Sequence, residues 1–147
     1  MLNTSTAYPC TIDYRKLIMG QLKADGVELG DQNINEENFP EVGEGGKDLV
    51  FEWVNQGKDM KLQDVLLEMK NRGLRPATFL EMVVFMSKHK ENKTDCICVA
   101  LGSRWHNPRY QVLYVPLLTL EDSSRSVTLD WIDRHWYPWY YFLGVRI

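Results

Sequence analysis

Two of the three histidines, His106 and His135, have neighbours that could orient an imidazole. His106 precedes Asn107, and His135 follows Asp133 by two residues. A His–Asp pair could act as a general base. Hydrolytic catalysis would also need a nucleophile, and no serine or cysteine lies in a nucleophile-elbow sequence. We therefore expect a protein that is not an enzyme. The alternative is a small enzyme or a glycan-binding module that uses His106, Asp133 and His135.

The three cysteines, Cys10, Cys96 and Cys98, could in principle bind a metal or form a disulfide. In a strand, the side chains of Cys96 and Cys98 would point to the same side, a geometry that does not bridge easily. Together with a histidine they match no zinc-finger spacing. We expect reduced thiols at core positions, no metal site and no cofactor.

The end of the chain is rich in aromatic residues. Seven of the twelve residues from Trp131 to Phe142 are Trp, Tyr or Phe, and no lysine follows Lys93. No helical or strand period places these rings on one side, and Tyr and Trp beside Arg, with few Lys, are typical of recognition surfaces. We predict that this tract binds a ligand. The alternative is that the rings close a small core, for which Trp131 and Phe142 are the strongest candidates.

Length and charge limit the classes of protein. A chain of 147 residues fits one compact domain. A formal charge of −3 and scattered lysines argue against nucleic-acid binding. Residues Met1–Cys10 contain no signal-peptide pattern, and no apolar run reaches the length of a membrane span. We expect a cytoplasmic protein without membrane insertion, although display or export by another route stays open.

Two helices are predicted with the clearest signals. Between Lys61 and Arg72, apolar residues recur at helical spacing, and Gly73 follows as a C-terminal cap. Thr78 with Glu81 three residues later forms a capping-box pattern. The second helix is therefore expected to begin at Thr78 and to end near Lys88.

Weaker patterns surround these helices. A short helix is predicted between Thr11 and Ala24, and an acidic, Gly- and Asn-rich loop between Asp25 and Lys47, from which only Phe39 would enter the core. The first strand is predicted at Asp48–Asn55. Four strands are predicted after the helices, at Asp95–Leu101, Tyr110–Leu118, Val127–Trp131 and Phe142–Ile147.

This order of elements resembles the C-type lectin fold. The segment Arg72–Glu81 resembles the opening of the second helix in formylglycine-generating-enzyme-like members of that fold, and Phe142–Arg146 resembles their chain end. Within this group, Ala-Leu-Gly-Ser-x-Trp at Ala100–Trp105 resembles a motif of the variable proteins of diversity-generating retroelements, as does the Leu-x-Trp...Trp...Phe-Leu-x-Val-Arg pattern that begins at Leu129. The likeness spans about residues 48–147.

The resemblance implies an α+β, compact C-type-lectin-like fold, with two helices packed on antiparallel sheets and the first and last strands paired. Residues 1–47 would be an N-terminal extension, and residues 48–147 the lectin-like domain with a ligand-facing region at about 105–141. It does not extend to calcium-dependent sugar binding, because too few carboxylates converge for a calcium site. Formylglycine-generating activity is also not expected, because no cysteine follows Cys98.

In the variable proteins, adenine-directed mutagenesis rewrites codons near the 3′ end of the gene while the fold stays fixed. The resemblance therefore implies a surface that binds a macromolecular ligand, above all a protein. A further alternative is an obligate subunit that buries its aromatic residues against a second copy. Ser123–Ser126 also fit a variable role. The principal implied positions are His106, Asn107, Arg109, Tyr110, Asp133, Arg134, His135, Tyr137, Trp139, Tyr140 and Tyr141.

Overall fold

The structure, a computed structural model, describes residues 2–40, 43–89 and 95–147. In these ranges the chain is α+β, with three helices and nine strands in one mixed sheet. No helix in them is long and apolar enough to cross a membrane. The elements are β1 (Tyr8–Asp13), α1 (Ile18–Ala24), β2 (Glu28–Leu29), β3 (Gly46–Val54), α2 (Leu62–Asn71), β4 (Leu74–Pro76), α3 (Phe79–Lys88), β5 (Cys96–Val99), β6 (Trp105–Asn107), β7 (Val112–Glu121), β8 (Ser124–Trp131) and β9 (Tyr140–Arg146).

The sheet brings the two ends of the chain together. Its strand order is β1-β3-β9-β5-β7-β8-β2, with β4 beside β9 and β6 beside β7. β3 contains most of the strand predicted at Asp48–Asn55, and it pairs antiparallel with the last strand, β9. It is not the first strand of the chain, because β1 precedes it and pairs with its other edge. The first and last strands therefore lie in the same sheet, with β3 between them.

β9 lies inside the sheet and is covered on both faces. Tyr141, Leu143 and Val145 belong to the hydrophobic cluster that contains α1 and α3, whereas Tyr140 and Phe142 belong to the cluster that contains α2. Successive side chains of a strand point to opposite faces. Every residue from Tyr140 to Val145 is consequently buried.

The N-terminal segment contributes to the same sheet and core. Tyr8, Cys10 and Ile12 are buried on β1, and the residues between them are exposed. This alternation has the period of a strand that is covered on one face. The helix predicted from Thr11 therefore begins only at Ile18, where α1 starts.

The segment predicted as a loop between Asp25 and Lys47 is mostly irregular, with two exceptions. β2 pairs parallel with β8, and β3 begins at Gly46, inside the predicted loop. Phe39 is buried, as expected, but Ile34 is buried as well, with 1% of its surface exposed. The expectation that only Phe39 enters the core was wrong. Glu41 and Val42 lie outside the described residues.

Both well-predicted helices are confirmed. α2 ends with Arg72 as its C-cap, and Gly73 follows with a φ of +70°, the left-handed conformation that favours glycine. At the start of α3, the Thr78 hydroxyl accepts a hydrogen bond from the Glu81 amide at 3.3 Å. The Glu81 carboxylate accepts one from the Thr78 amide at 2.8 Å, which completes the capping box.

Glu81 is also the centre of a buried ionic cluster. Its side chain is 1% exposed, and its two oxygens accept hydrogen bonds from the Arg75 guanidinium at 2.9 and 2.8 Å. The Tyr14 hydroxyl donates to the same carboxylate. Burial by itself would raise the pKa of Glu81, but these hydrogen bonds outweigh it and lower that pKa. Burial and the carboxylate raise the pKa of Tyr14. The cluster links the N-terminal segment to β4 and α3.

The four strands predicted after the helices are present with shifted ends. The strand predicted from Tyr110 begins at Val112 and continues to Glu121, and the strand predicted from Val127 begins at Ser124. Four strands were not predicted: β1, β2, β4 and β6. The last three have two or three residues each, too few to show an alternating pattern.

Candidate ligand-binding surface

The exposed aromatic side chains are confined to one part of the chain. Among the described residues, four Tyr and Trp side chains are exposed, by 40% to 57%: Tyr110, Trp131, Tyr137 and Trp139. All of them lie within the predicted ligand-facing region, residues 105–141. Every other Phe, Tyr or Trp of the described chain is buried or half-buried. Exposed rings of this size are commonly found where a protein contacts a partner.

One group of rings forms a row across three strands. Tyr114 on β7 lies opposite Trp105 on β6 and opposite Trp131 on β8, so the three side chains share one face of the sheet. The indole nitrogen of Trp131 donates a hydrogen bond to the Tyr114 hydroxyl at 2.9 Å. The ring centroids of Trp105 and Tyr114 are 5.9 Å apart. Trp131 is 53% exposed, so the expectation that it closes the core was wrong.

The turn between β6 and β7 presents the first group of predicted site residues. His106, Arg109 and Tyr110 are exposed, and the Arg109 guanidinium lies 5.3 Å from the centroid of the Tyr110 ring. Asn107 is half-buried, and its side-chain oxygen accepts a hydrogen bond from the Arg109 amide at 2.9 Å. Asn107 therefore holds the turn, and the other three residues are the ones available to a ligand.

Arg134 anchors the loop between β8 and β9. It pairs with Asp130, and its Nε donates to the His135 carbonyl at 3.1 Å. Its guanidinium also lies over the rings of Trp136, Tyr137 and Tyr140, 5.2 to 5.7 Å from their centroids. A cation with this many partners fixes the loop. Arg134 was predicted to bind ligand; in the structure its guanidinium contacts neighbouring residues of the protein itself.

The same loop is pinned to the chain from both sides. The backbones of Trp136 and Met60 exchange two hydrogen bonds of 2.8 Å, and the side-chain amide nitrogen of Asn55 donates to the Pro138 carbonyl at 2.6 Å. Trp136 is fully buried between these anchors. Tyr137 and Trp139 project from the loop and stack with centroids 4.8 Å apart and planes 20° apart.

Tyr140 and Tyr141 do not belong to this surface. Each is only 8% exposed, and their rings belong to the two opposite core clusters. The prediction that they face solvent was wrong, because β9 has no uncovered face. Phe142, at 1% exposure, lies in the core, as expected. The burial of Tyr140 and Tyr141 could have been predicted from the sequence, because Tyr140–Val145 is a continuous apolar run, which is typical of a strand buried on both faces.

His106, Asp133 and His135, the candidate catalytic group, are exposed and line two cavities. His106 and Asp133 line a cavity of about 360 Å³ together with Trp131. Asp133 and His135 line a second cavity of about 350 Å³ beside the start of α2. In the described parts of the chain, no hydrogen bond joins any two of these three side chains. Asp133 thus lines both cavities, whereas His106 lines only the first and His135 only the second.

Ser123–Ser126, predicted as further variable positions, lie far from the aromatic row of Trp105, Tyr114 and Trp131. Ser123 and Asp122 form the turn between β7 and β8 with positive φ angles. The turn begins after Glu121, whereas the aromatic row crosses β7 at Tyr114. Seven strand residues correspond to roughly 23 Å. A ligand that contacts the aromatic row would therefore need a long reach to contact Ser123 as well.

The Ala100–Trp105 motif contains residues whose structural role the sequence does not reveal. A Cβ atom on Gly102 would lie 2.6 Å from the Ala77 carbonyl oxygen, and the Gly102 amide donates to that oxygen at 2.8 Å. The next residue, Ser103, accepts a hydrogen bond from the Phe79 amide at 2.7 Å. The motif thus fixes the chain before β6 to the first turn of α3, and only glycine permits that approach.

The cysteines are all free and buried, in agreement with the expectation of reduced core thiols. The sulfur atoms of Cys96 and Cys98 lie 3.6 Å apart on the same face of β5. Burial and the neighbouring Cys96 raise the pKa of Cys98. Within the described ranges, no group of three His, Cys, Asp or Glu side chains could hold a metal ion.

Rigid strands and an anchored loop therefore present a small set of exposed side chains: His106, Arg109, Tyr110, Trp131, Asp133, His135, Tyr137 and Trp139. Comparison of the chain with models of protein families, with curated proteins and with solved structures found no match.

Proposed function

We propose that this protein is a non-catalytic recognition protein, a variable protein of a diversity-generating retroelement that binds a macromolecular ligand, above all a protein. The observation that supports this most directly is the distribution of its aromatic residues. Among the described residues, all four exposed rings lie between Tyr110 and Trp139, in the region where the motifs predict the variable surface.

The support of these rings suits recognition. Tyr137 and Trp139 lie in the loop between β8 and β9, which is anchored by Arg134 and by the backbone hydrogen bonds of Trp136. Trp131 lies at the end of a strand and is held by the Tyr114 hydroxyl. Side chains that are already ordered lose little entropy on binding. Each ring can bury ~150 Å² or more against a partner, so a few positions supply much of the affinity.

The same arrangement separates positions that can vary from positions that cannot. Tyr137 and Trp139 are exposed, whereas Trp136 and Phe142 are buried in the core. Substitution at the exposed positions leaves the core packing intact, whereas substitution of the buried rings would open cavities. Codons of exposed residues could therefore be rewritten while the fold is kept, provided that the codons of buried residues stay unchanged.

The direct test is to sequence the 3′ end of the gene from many cells of one population. Substitutions should concentrate at the codons of the exposed set, from His106 to Trp139, and should be rare at Trp136 and Phe142. A reverse transcriptase gene should lie nearby, with a second copy of the 3′ coding end that differs mainly at adenines. Uniform substitution across both classes of codon, or the absence of both neighbours, would refute the retroelement assignment.

The alternative of a glycan-binding module is favoured by one observation. His106, Asp133 and the exposed Trp131 line one cavity of about 360 Å³, and an aromatic ring with nearby polar groups is a suitable setting for a sugar. A glycan array separates the two functions. Binding to defined sugars that is lost in Asp133→Asn and in Trp131→Ala would favour the module. Light scattering at micromolar concentration addresses the further alternative, self-association through the exposed rings.

A further inference from the structure

A cavity of about 470 Å³ is lined in part by Trp139. It is formed where β5 begins and β7 ends, and Trp139 and Tyr141 line it together with Ile97 and Leu120. Its volume falls within the range of small-molecule sites. Ile97, Leu120 and the two aromatic rings give it a surface that would accept the apolar body of an organic ligand.

Among the described residues that line this cavity, the two charged ones are both acidic. Asp95 and Glu121 line it, both are exposed, and neither forms an ion pair within the described residues. Among the described residues that line the cavity there is no Lys, Arg or His. Arg125 is opposite Leu120 on β8 but does not line the cavity. The cavity therefore combines negative charge with aromatic surface.

This combination selects one chemical class of ligand. A carboxylate attracts a cation, and the faces of Trp and Tyr rings attract the same charge through their quadrupoles. The apolar residues favour a hydrocarbon body next to the charged head. We infer that this cavity binds an organic ammonium ion, with its head group near Asp95 and Glu121 and its apolar body against Ile97, Leu120 and Tyr141.

The inference does not depend on the proposed function. Trp139 belongs to both sites, but Asp95 and Glu121 lie at the far end of β5 and β7 from the aromatic row. A change at these two carboxylates therefore tests the cavity and leaves the rest of the recognition surface unchanged.

The experiment is a titration of the full chain with 2-phenylethylammonium, with its neutral analogue 2-phenylethanol, and with N-acetyl-lysinamide. Chemical shifts of the Trp139 indole report occupancy. The phenylethylammonium ion should bind at least about fivefold more tightly than the alcohol, and added salt should weaken it. N-acetyl-lysinamide carries the same ammonium head group on a lysine side chain. Comparing its affinity with that of the phenylethylammonium ion shows whether a lysine side chain or a free amine is the better ligand.

The variant Asp95→Asn/Glu121→Gln keeps the size of both side chains, and the Asp95→Asn change retains a side-chain oxygen that can accept the hydrogen bond from the Asp122 amide. It should weaken binding of the phenylethylammonium ion by about five- to tenfold. Glu37→Gln, which removes a carboxylate from an exposed loop position, should leave the affinity unchanged. Equal affinity for the ion and the alcohol, an unaffected double variant, or no binding at millimolar concentration would each overturn the inference. Thermal unfolding of each variant verifies that it is folded.

Discussion

The indole of Trp131 is held by the hydroxyl of Tyr114 on the neighbouring strand, through a hydrogen bond of 2.9 Å. Trp131 is 53% exposed, so this bond orders a ring that the core does not pack. It lies within the aromatic row of β6, β7 and β8. An ordered, water-facing tryptophan is the kind of residue that contributes strongly to binding.

Replacement of Tyr114 by Phe removes the acceptor and keeps the ring. We expect the free energy of unfolding to fall by only about 0.5 to 1 kcal/mol, because the indole nitrogen can bond to water instead. The Trp131 indole proton should exchange faster with solvent, as measured by NMR. Leu113→Ala, at the neighbouring position of β7, serves as the control. An unchanged exchange rate in Tyr114→Phe would show that the hydrogen bond does not order Trp131.

Paired libraries test which rings are surface and which are core. Random substitution of Tyr137 and Trp139 should leave most variants folded, because these rings are exposed and their mutual stacking is worth about 1 kcal/mol. Random substitution of Tyr140 and Tyr141 should leave few. Protease resistance of displayed variants measures the folded fraction. Equal folded fractions in the two libraries would contradict the assignment of core and surface.

A single substitution gives the same distinction as a free energy. Tyr141→Ala should cost about 3 to 5 kcal/mol, the usual range for loss of a buried aromatic ring. Tyr141→Phe keeps the ring and should cost much less. Denaturant unfolding measures both. A loss below about 1 kcal/mol in Tyr141→Ala would mean that the ring is not part of the core.

Gly102 should tolerate no side chain. A Cβ atom there would lie 2.6 Å from the Ala77 carbonyl oxygen and 2.8 Å from that of Pro76, and backbone atoms cannot move aside cheaply. We expect Gly102→Ala to reduce the free energy of unfolding by about 1 to 3 kcal/mol. The control is Gly20→Ala, where nothing lies within 4 Å of the added atom. Equal stabilities of the two variants would show that the Ala77 contact is not tight.

The Glu81 cluster predicts how stability depends on pH. The pKa of Glu81 is lowered in the folded protein, so the group stabilises the fold fully above its unfolded pKa of about 4.3. This contribution is lost as the pH falls through the lower, folded pKa. Glu81→Gln should cost about 2 to 4 kcal/mol at pH 7, because it leaves Arg75 without its charge partner.

The difference in unfolding free energy between wild type and Glu81→Gln should be constant between about pH 5 and pH 8 and should narrow below about pH 4.3. Measuring the difference cancels the contributions of Glu52 and Asp13, whose pKa values are also lowered. The exposed variant Glu37→Gln should show no such narrowing. A pH-independent difference would mean that Glu81 is not ionised in the fold.

The sequence by itself determined α2 and the start of α3, because the signals for these elements lie within a few neighbouring residues. The spacing of apolar residues in α2, the positive-φ glycine after it and the Thr78–Glu81 capping box each depend on residues within one or two helical turns. The C-x-C spacing likewise fixes that Cys96 and Cys98 point to the same side of a strand. The sequence also located the region that contains every exposed Tyr and Trp ring of the described chain.

Only the tertiary structure decided which of those rings face water. Tyr137 and Trp139 differ from Tyr140 and Tyr141 by at most four positions, and all four are aromatic. The burial of Tyr140 and Tyr141 depends on elements that are distant in sequence: β3 and β5 flank β9 on its two edges, and the clusters that contain α2 and α3 cover its two faces. The contact of Gly102 with Ala77 and the bond from Trp131 to Tyr114 are non-local for the same reason. A residue's own type and spacing determine its preferred element, but its exposure is determined by what packs against that element.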